Sequence, residues 1–275
     1  MQSYGALPRN SVIVVAHPDD EVLWFNSILQ RAERVFIVFQ DFWAMPDLGA
    51  ARAAALRAHP HPAVTCLGLQ ESGAFDCADW GAPLPNAVGL QFSPKRMLRQ
   101  RVWRAKRMAV ESLKQRKLTS LPDISALYAQ NYDKIKVFLK EALSRDMNVF
   151  THNPWGEYGH EEHVQIFRVL RALQDEIEFG LWVPNYCSDR ALPLATRYFS
   201  REATDYIRFA TDKDYATKLA ELYIQEGCWT WADAWAWFDE ECFIEASSLT
   251  PGEAAYSHLF PLNLFKFGAA SGGKY

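Results

Sequence analysis

Residues Ser11-Val12-Ile13-Val14-Val15-Ala16 form a continuous apolar, β-branched run, and His17-Pro18-Asp19-Asp20-Glu21 follows it at once. A run this short and this uniformly apolar reads as a buried parallel strand. Val22, Leu23, Phe25, Ile28 and Leu29 then recur at helical spacing, behind acidic residues whose charge suits a helix N-terminus. His17 to Asp20 therefore make a strand-to-helix turn. In an open parallel sheet such turns lie at the carboxyl edge, where ligands bind. Pro18 fixes its own φ and holds His17 extended, so the turn is stiff.

The pattern continues in alternation. Strands are expected at 11–16, 34–39, 64–67 and 148–151, and helices at 20–32, 49–58, 123–145 and 160–176. Later strands are expected at 179–183 and 195–200, with a helix at 213–225. This order predicts an α/β protein with a Rossmann-like three-layer α/β/α fold, a mostly parallel sheet and an inserted basic helical cap at 70–120. A single catalytic domain over 1–268 and a flexible tail at 269–275 complete the expected organisation. Hydrophobic residues at 49% and charged residues at 23% of 275 are ordinary for a globular chain. No stretch reaches the ~20 apolar residues of a membrane span, and the start lacks a basic region followed by an apolar run. The expected location is cytoplasmic. Cys66, Cys77, Cys187, Cys228 and Cys242 are odd in number and widely spaced, which reads as reduced packing residues.

A second polar cluster, Gly159-His160-Glu161-Glu162-His163, stands about 140 residues after the first. Thr151-His152-Asn153-Pro154-Trp155-Gly156 reads as a loop, and Val164, Ile166, Phe167, Val169, Leu170 and Leu173 as an amphipathic helix. His160 and His163, three apart in its first turn, share a face, so one can ligate an ion while the other contacts substrate. His17 and Asp20 can ligate the same ion, with Asp19 beside it. Two His, one Asp and a solvent molecule make the open arrangement of catalytic zinc, whereas structural zinc usually closes its sphere with four protein ligands. Such an ion polarises a carbonyl and brings the pKa of its water to roughly 7. Asp19 is then the natural general base, and His160, when protonated, would stabilise the oxyanion of a tetrahedral intermediate. Either motif alone is more often an ordinary turn or a solvated helix end; the pair in one chain is what points to a metal site.

The two motifs resemble those of the LmbE/PIG-L-type zinc-dependent de-N-acetylases, closely over 11–40 and 148–173 and loosely elsewhere. The resemblance implies removal of an acyl group, mostly acetyl, from N-acylated amino sugars and related conjugates. It implies His17, Asp20 and His163 as metal ligands, Asp19 as base, His160 as the electrophilic or acid histidine, and Tyr158 as a substrate-side hydrogen-bond donor. Where members carry Gly-Gly in the first helix, this chain has Asn26-Ser27 behind Trp24-Phe25. Where they carry a Thr-x-Gly-Glu-like stretch, it reads Gln40-Asp41-Phe42-Trp43-Ala44. The Arg-x-x-Glu of the next helix is half present, as Arg52 without its Glu, and Arg52 is carried as a substrate-binding residue. His152 is read as orienting a ligand or touching substrate rather than ligating, and Glu21 as a helix cap or a brace behind a ligand. Zn²⁺ is the expected cofactor, although His and Asp ligands suit Fe²⁺ and other divalent ions too.

Two further stretches bear on the substrate. Lys95, Arg96, Arg99, Arg101, Arg104, Lys106, Arg107, Lys114, Arg116 and Lys117 face one acid, Glu111, in a chain of net charge −4. They read either as a cap that recognises an anionic group or as a solvated helix. Nucleic acid is not expected, since no recognised motif accompanies them. Residues 228–238 hold Trp229, Trp231, Trp235 and Trp237. Trp231 and Trp235 at i, i+4 read as a helical face packed in a core or homo-oligomer interface, with a glycan subsite as the other reading. His59, His61 and His258 are given no role. The expected partner is a small N-acylated amino sugar or glycoconjugate; a non-sugar amide, or binding of a glycan or nucleotide-sugar without catalysis, are the rival readings.

Overall fold

The computed structural model describes residues 5–115, 122–198, 205–231, 235–249 and 261–267. In chain order the strands are β1 (Ser11–Val15), β2 (Arg34–Phe42), β3 (Val64–Glu71), β4 (Pro85–Asn86), β5 (Gly89–Leu90), β6 (Asn148–Thr151), β7 (Gly180–Pro184), β8 (Tyr186–Ser188), β9 (Tyr206–Ala210), β10 (Glu240–Glu245) and β11 (Asn263–Phe265). The α-helices are α1 (Asp20–Trp24), α2 (Asn26–Leu29), α3 (Pro46–Arg57), α4 (Pro94–Gln115), α5 (Ile124–Ala142), α6 (Glu161–Ile177), α7 (Leu192–Ala195) and α8 (Lys213–Gln225). Seven strands form one sheet in the order β3-β2-β1-β6-β7-β10-β9. Pairing is parallel from β3 to β7, and β10 runs antiparallel to both β7 and β9.

The continuous apolar run of β1 has a direct cause. Val12 and Val14 pack with Ile135 and Leu139 of α5 and with Val164 and Leu170 of α6, while Ile13 and Val15 pack with Leu23, Ile28, Ala55 and Leu219 from α1, α2, α3 and α8. Both faces of the central strand are covered, so neither can be polar. The fold is the three-layer α/β arrangement that the alternation predicts. From β1 the chain moves outward through β2 to β3, then crosses to β6 on the other side of β1. The loops after β1 and β6 diverge there, which makes the ligand-binding crevice of an open α/β sheet.

Several expected elements differ. The helix expected at 20–32 is broken at Phe25, where φ is −138°. The polar residues just beyond the break bond elsewhere: the Ser27 backbone N–H, at 3.0 Å, and its hydroxyl both donate to Glu241 Oε2, and Asn26 Oδ1 accepts from the Asp212 amide at 3.2 Å. No strand occupies 195–200 among the described residues. Leu192–Ala195 is helical and Thr196–Tyr198 is a 3-10 turn. Leu194, Ala195 and Tyr198 are buried at helical rather than alternating spacing. The sheet is extended instead by β9 and β10. Residues 229–231 and 235–238 are irregular, not helical. The rings of Trp231 and Trp235 still meet, at 4.9 Å, and both pack on Trp24. The 70–120 insertion holds the β4–β5 hairpin and α4. The expected tail, His258, Arg116 and Lys117 lie outside the described residues, as do the side chains of Arg107, Glu111 and Lys114. All five cysteines are unpaired. Among the described residues no helix is long and apolar enough to cross a membrane.

Candidate metal centre

At the crevice, the turn after β1 and the first turn of α6 bring His17, Asp20 and His163 together, all buried. Asp20 Oδ2 lies 3.2 Å from His17 Nδ1 and 3.2 Å from His163 Nε2. Ligand atoms about 2.0–2.1 Å from a tetrahedral zinc stand about 3.3 Å apart, so these separations fit one ion with little adjustment. His163 Nε2 is buried and has no hydrogen-bond partner. A lone pair left bare among carboxylates is the donor chemistry that a divalent cation satisfies. Burial opposes a charge on His17, yet Glu71, Asp20 and Glu162 outweigh it and push its pKa up to about 10, so the pocket attracts positive charge.

Two other groupings share these histidines, His17–His160–Glu162 and His152–Glu157–His163. Their atoms are already committed. Glu162 Oε1 accepts the N–H and the hydroxyl of Ser72, both at 2.7 Å, and Oε2 faces His17 Nε2 at 3.1 Å. Glu157 Oε2 lies 2.7 Å from His163 Nδ1 and 2.9 Å from His152 Nδ1. In their neutral form each ring then donates its N–H to the carboxylate behind it, and the opposite nitrogen, Nδ1 of His17 or Nε2 of His163, can offer a lone pair on the Asp20 side. His152 has no such pair to offer, because its Nε2 accepts the Ala16 amide at 2.9 Å. Asp20 itself is held by the Trp24 indole, whose Nε1 donates to Oδ1 at 3.0 Å.

Asp19 sits beside the triad with φ at 109°, a strained value for a residue with a side chain. Its amide donates to Glu21 Oε2 at 3.1 Å, and Glu21 Oε1 accepts the Tyr223 hydroxyl at 2.6 Å. Thr230 donates to Asp19 Oδ2 at 2.8 Å. Burial raises the Asp19 carboxyl well above its usual range, and Asp20 adds to the rise. His160 stands across the triad, its ring centroid 4.8 Å from those of both His17 and His163. Its Nδ1 accepts the Glu162 amide at 3.1 Å, which assigns the ring proton to Nε2. Burial holds His160 well below the ordinary imidazole range, with His163 and His17 adding to the drop. Both effects disfavour the protonated His160 expected from the sequence, and the ring stands here as an N–H donor.

Tyr158 is buried edge-on to His163, at 5.1 Å, and His160, at 5.5 Å. His152 lies behind the triad. Arg52 stands one residue back: it is ion-paired with Glu71 of β3, whose Oε2 lies 3.9 Å from His17 Nε2. Glu157, Glu162, Glu71 and Thr230 were not singled out from the sequence.

No protein-family model matches the chain, and no curated protein sequence matches it. Among solved structures it resembles the crystal structure of a deacetylase–teicoplanin complex in the biosynthesis pathway of teicoplanin. The TM-score is 0.42 and the identity 12%, over 86% of this chain and 98% of that one. At that distance the likeness carries nothing about this chain's chemistry.

Proposed function

We propose that the protein is a divalent-metal-dependent amide hydrolase that removes an acyl group, acetyl in the simplest case, from the amine of an N-acylated amino sugar or glycoconjugate. The observation that carries this reading is the buried His17–Asp20–His163 triad, in which His163 Nε2 has no hydrogen-bond partner, flanked by the Asp19 carboxylate on one side and the His160 imidazole on the other. Three N/O ligands are the protein share of a catalytic zinc site, and Fe²⁺ suits the same donors. When bound, such an ion supplies the charge that polarises an amide carbonyl and acidifies water.

The remaining work falls to the chain. Asp19 takes the proton of the attacking water and returns it to the leaving amine, a role that its raised proton affinity favours. Thr230 holds that carboxylate in place, and Glu21 holds the backbone amide of the same residue. His160 donates its Nε2–H to the carbonyl oxygen as charge develops there. Being neutral, it can do so without losing a proton to the product. Trp24, Tyr158 and Phe267 stack beside it, with ring separations of 5.9 Å and 5.5 Å about Tyr158.

The test is elemental analysis of the purified protein, followed by a primary-amine assay over N-acetylated sugars and acyl amino acids. The expected result is one divalent ion per chain and amine release that a chelator abolishes. Asp19→Asn should keep the metal and lose roughly 10²–10⁴-fold in rate. Absence of metal after reconstitution sinks the reading, and release from acyl amino acids alone moves the acceptor away from sugars.

A further inference from the structure

A cavity of about 300 Å³ opens beside His160, and Arg99, Arg104 and Arg190 line it. Arg104, only 2% exposed, has no carboxylate partner among the described residues. Its Nη2 donates to the Phe75 carbonyl at 3.1 Å, its Nη1 faces Cys77 Sγ at 4.0 Å, and its Nε is unbonded. Arg190 lies over Phe75, 4.8 Å from the ring centroid, with its Nε also buried and unbonded. Its nearest acid is Asp76, at 3.3 Å, and Arg96 and Arg99 pair with that same carboxylate.

Two further acids stand near the cavity. Glu71 pairs with Arg52, and Glu161 accepts the amides of Asp76 and Ala78 and the Trp80 indole. Asp76 and Glu71 line the cavity with the arginines, yet no described carboxylate ion-pairs with Arg104, and Arg99 and Arg190 share the single Asp76 carboxylate; a buried guanidinium without a counter-ion is costly. The backbone makes room for both arginines. Gly73 has φ +76°, and a Cβ there would meet Arg104 Nη1 at 3.2 Å; Gly159 has φ +84°, and a Cβ there would meet Arg190 Nε at 3.1 Å.

We propose that this cavity is an anion subsite: it takes a carboxylate or phosphate carried by the substrate, held by Arg104 and Arg190 with Arg99 at the rim. The acylated compound is then an acidic one, with its anion on the His160 side of the scissile amide. The word substrate rests on the hydrolase reading above; the anion rests on the arginines. Planar guanidinium forks match the geometry of both oxyanions.

The experiment is calorimetric titration of the metal-loaded protein with inorganic phosphate and, separately, succinate, in wild type, Arg190→Met, Arg190→Lys and Arg104→Met. At least one anion should bind, and the better one names the group. Affinity should fall roughly tenfold or more in each Met variant, the size of one lost charge-assisted hydrogen bond, and less in Arg190→Lys. If Arg104→Met fails to fold, the partly exposed Arg190 carries the test. In parallel, the KM for N-acetylglucosamine 6-phosphate or N-acetylmuramic acid should fall below that for N-acetylglucosamine, and Arg190→Met should erase the difference. Failure of both anions to bind overturns the subsite, as does binding that Arg190→Met leaves unchanged, which would mean an ion held by the metal alone. Anion binding without amine release from any amide would instead refute the hydrolase reading and leave the subsite standing.

Discussion

Replacing Glu157 by Gln isolates the metal site from everything catalytic. Glu157 is fully buried, and its Oε2 serves His163 Nδ1 at 2.7 Å and His152 Nδ1 at 2.9 Å, while Oε1 accepts the Asn153 amide at 2.7 Å. Gln keeps the volume but offers one acceptor oxygen and an NH₂ group, so at least one of three N–H donors must face another donor. If the oxygen stays with the Asn153 amide, both imidazoles lose their acceptor. His163 is then free to carry its proton on Nε2, the nitrogen 3.2 Å from Asp20 Oδ2, where it cannot ligate. Partners that orient a ligand in this way are worth about 10–100-fold in metal affinity, or about 1.4–2.7 kcal/mol. Because Glu157→Gln removes charge as well as an acceptor, the expected weakening is near ~100-fold. Competition against a chromophoric zinc chelator measures it, with circular dichroism to confirm the fold. Glu176→Gln, which breaks only surface pairs with Lys136 and Lys140, serves as control. Zinc affinity within about threefold of wild type would mean that His163 does not bind through Nε2, and the triad reading would fall.

Thr230→Val removes the hydroxyl that donates to Asp19 Oδ2 at 2.8 Å, and turnover should drop roughly tenfold at unchanged metal content. Equal turnover would show that Asp19 needs no such positioning. Gly159→Ala forces a side chain into φ +84° and against Arg190, and urea denaturation should register a loss of about 1–3 kcal/mol. An unmoved midpoint refutes the strain. Burial pushes the Glu241 carboxyl up to about 7 from an ordinary 4.5, against bonds from Ser27 and Tyr186. The folded state therefore binds this proton more tightly than the unfolded one, so the stabilisation is complete below pH 4.5 and is lost as pH rises through about 7. The slope in that window is at most about 1.4 kcal/mol per pH unit. Glu241→Gln should flatten it in stability curves measured across the window, and parallel curves for the two proteins would refute the assignment.

Periodicity was a sound guide wherever one environment governed a whole segment. Asn148–Thr151 and Lys213–Gln225 have the bounds that their patterns suggest, and β1 is apolar on both faces because helices cover both. It failed where a side-chain bond outranked the pattern. Glu240–Glu245 does not look like a strand, because a glutamate stands at an inward position; Glu241 is fully buried there only because Ser27 and Tyr186 donate to it. Ser27 is also one of the residues that lie just past the break at Phe25. One long-range contact, between residues 214 apart, thus accounts for two misread elements.

The candidate site divides along the same line. His17, Asp19, Asp20, His160 and His163 fall in two short motifs and are legible as such, whereas the groups that hold them come from segments whose proximity only the fold creates. Glu162 of α6 braces His17 of the first turn, and Thr230 reaches Asp19 from 211 residues away. Two acids in the first turn of a helix ordinarily read as a complement to its dipole, which requires only exposure. Here both are fully buried and face different partners: Glu162 holds the ligand His17, and Glu161 holds the loop from Asp76 to Trp80 that walls the arginine cavity. The same turn of α6 supplies His160 and His163. The imidazole of His160, the anchor of the 76–80 loop, the brace of the candidate ligand His17 and the candidate ligand His163 are therefore consecutive in one turn. Displacing the cap would leave Glu161 a buried carboxyl without its three donors, so the turn that builds the metal centre is also the one that keeps the cap in place.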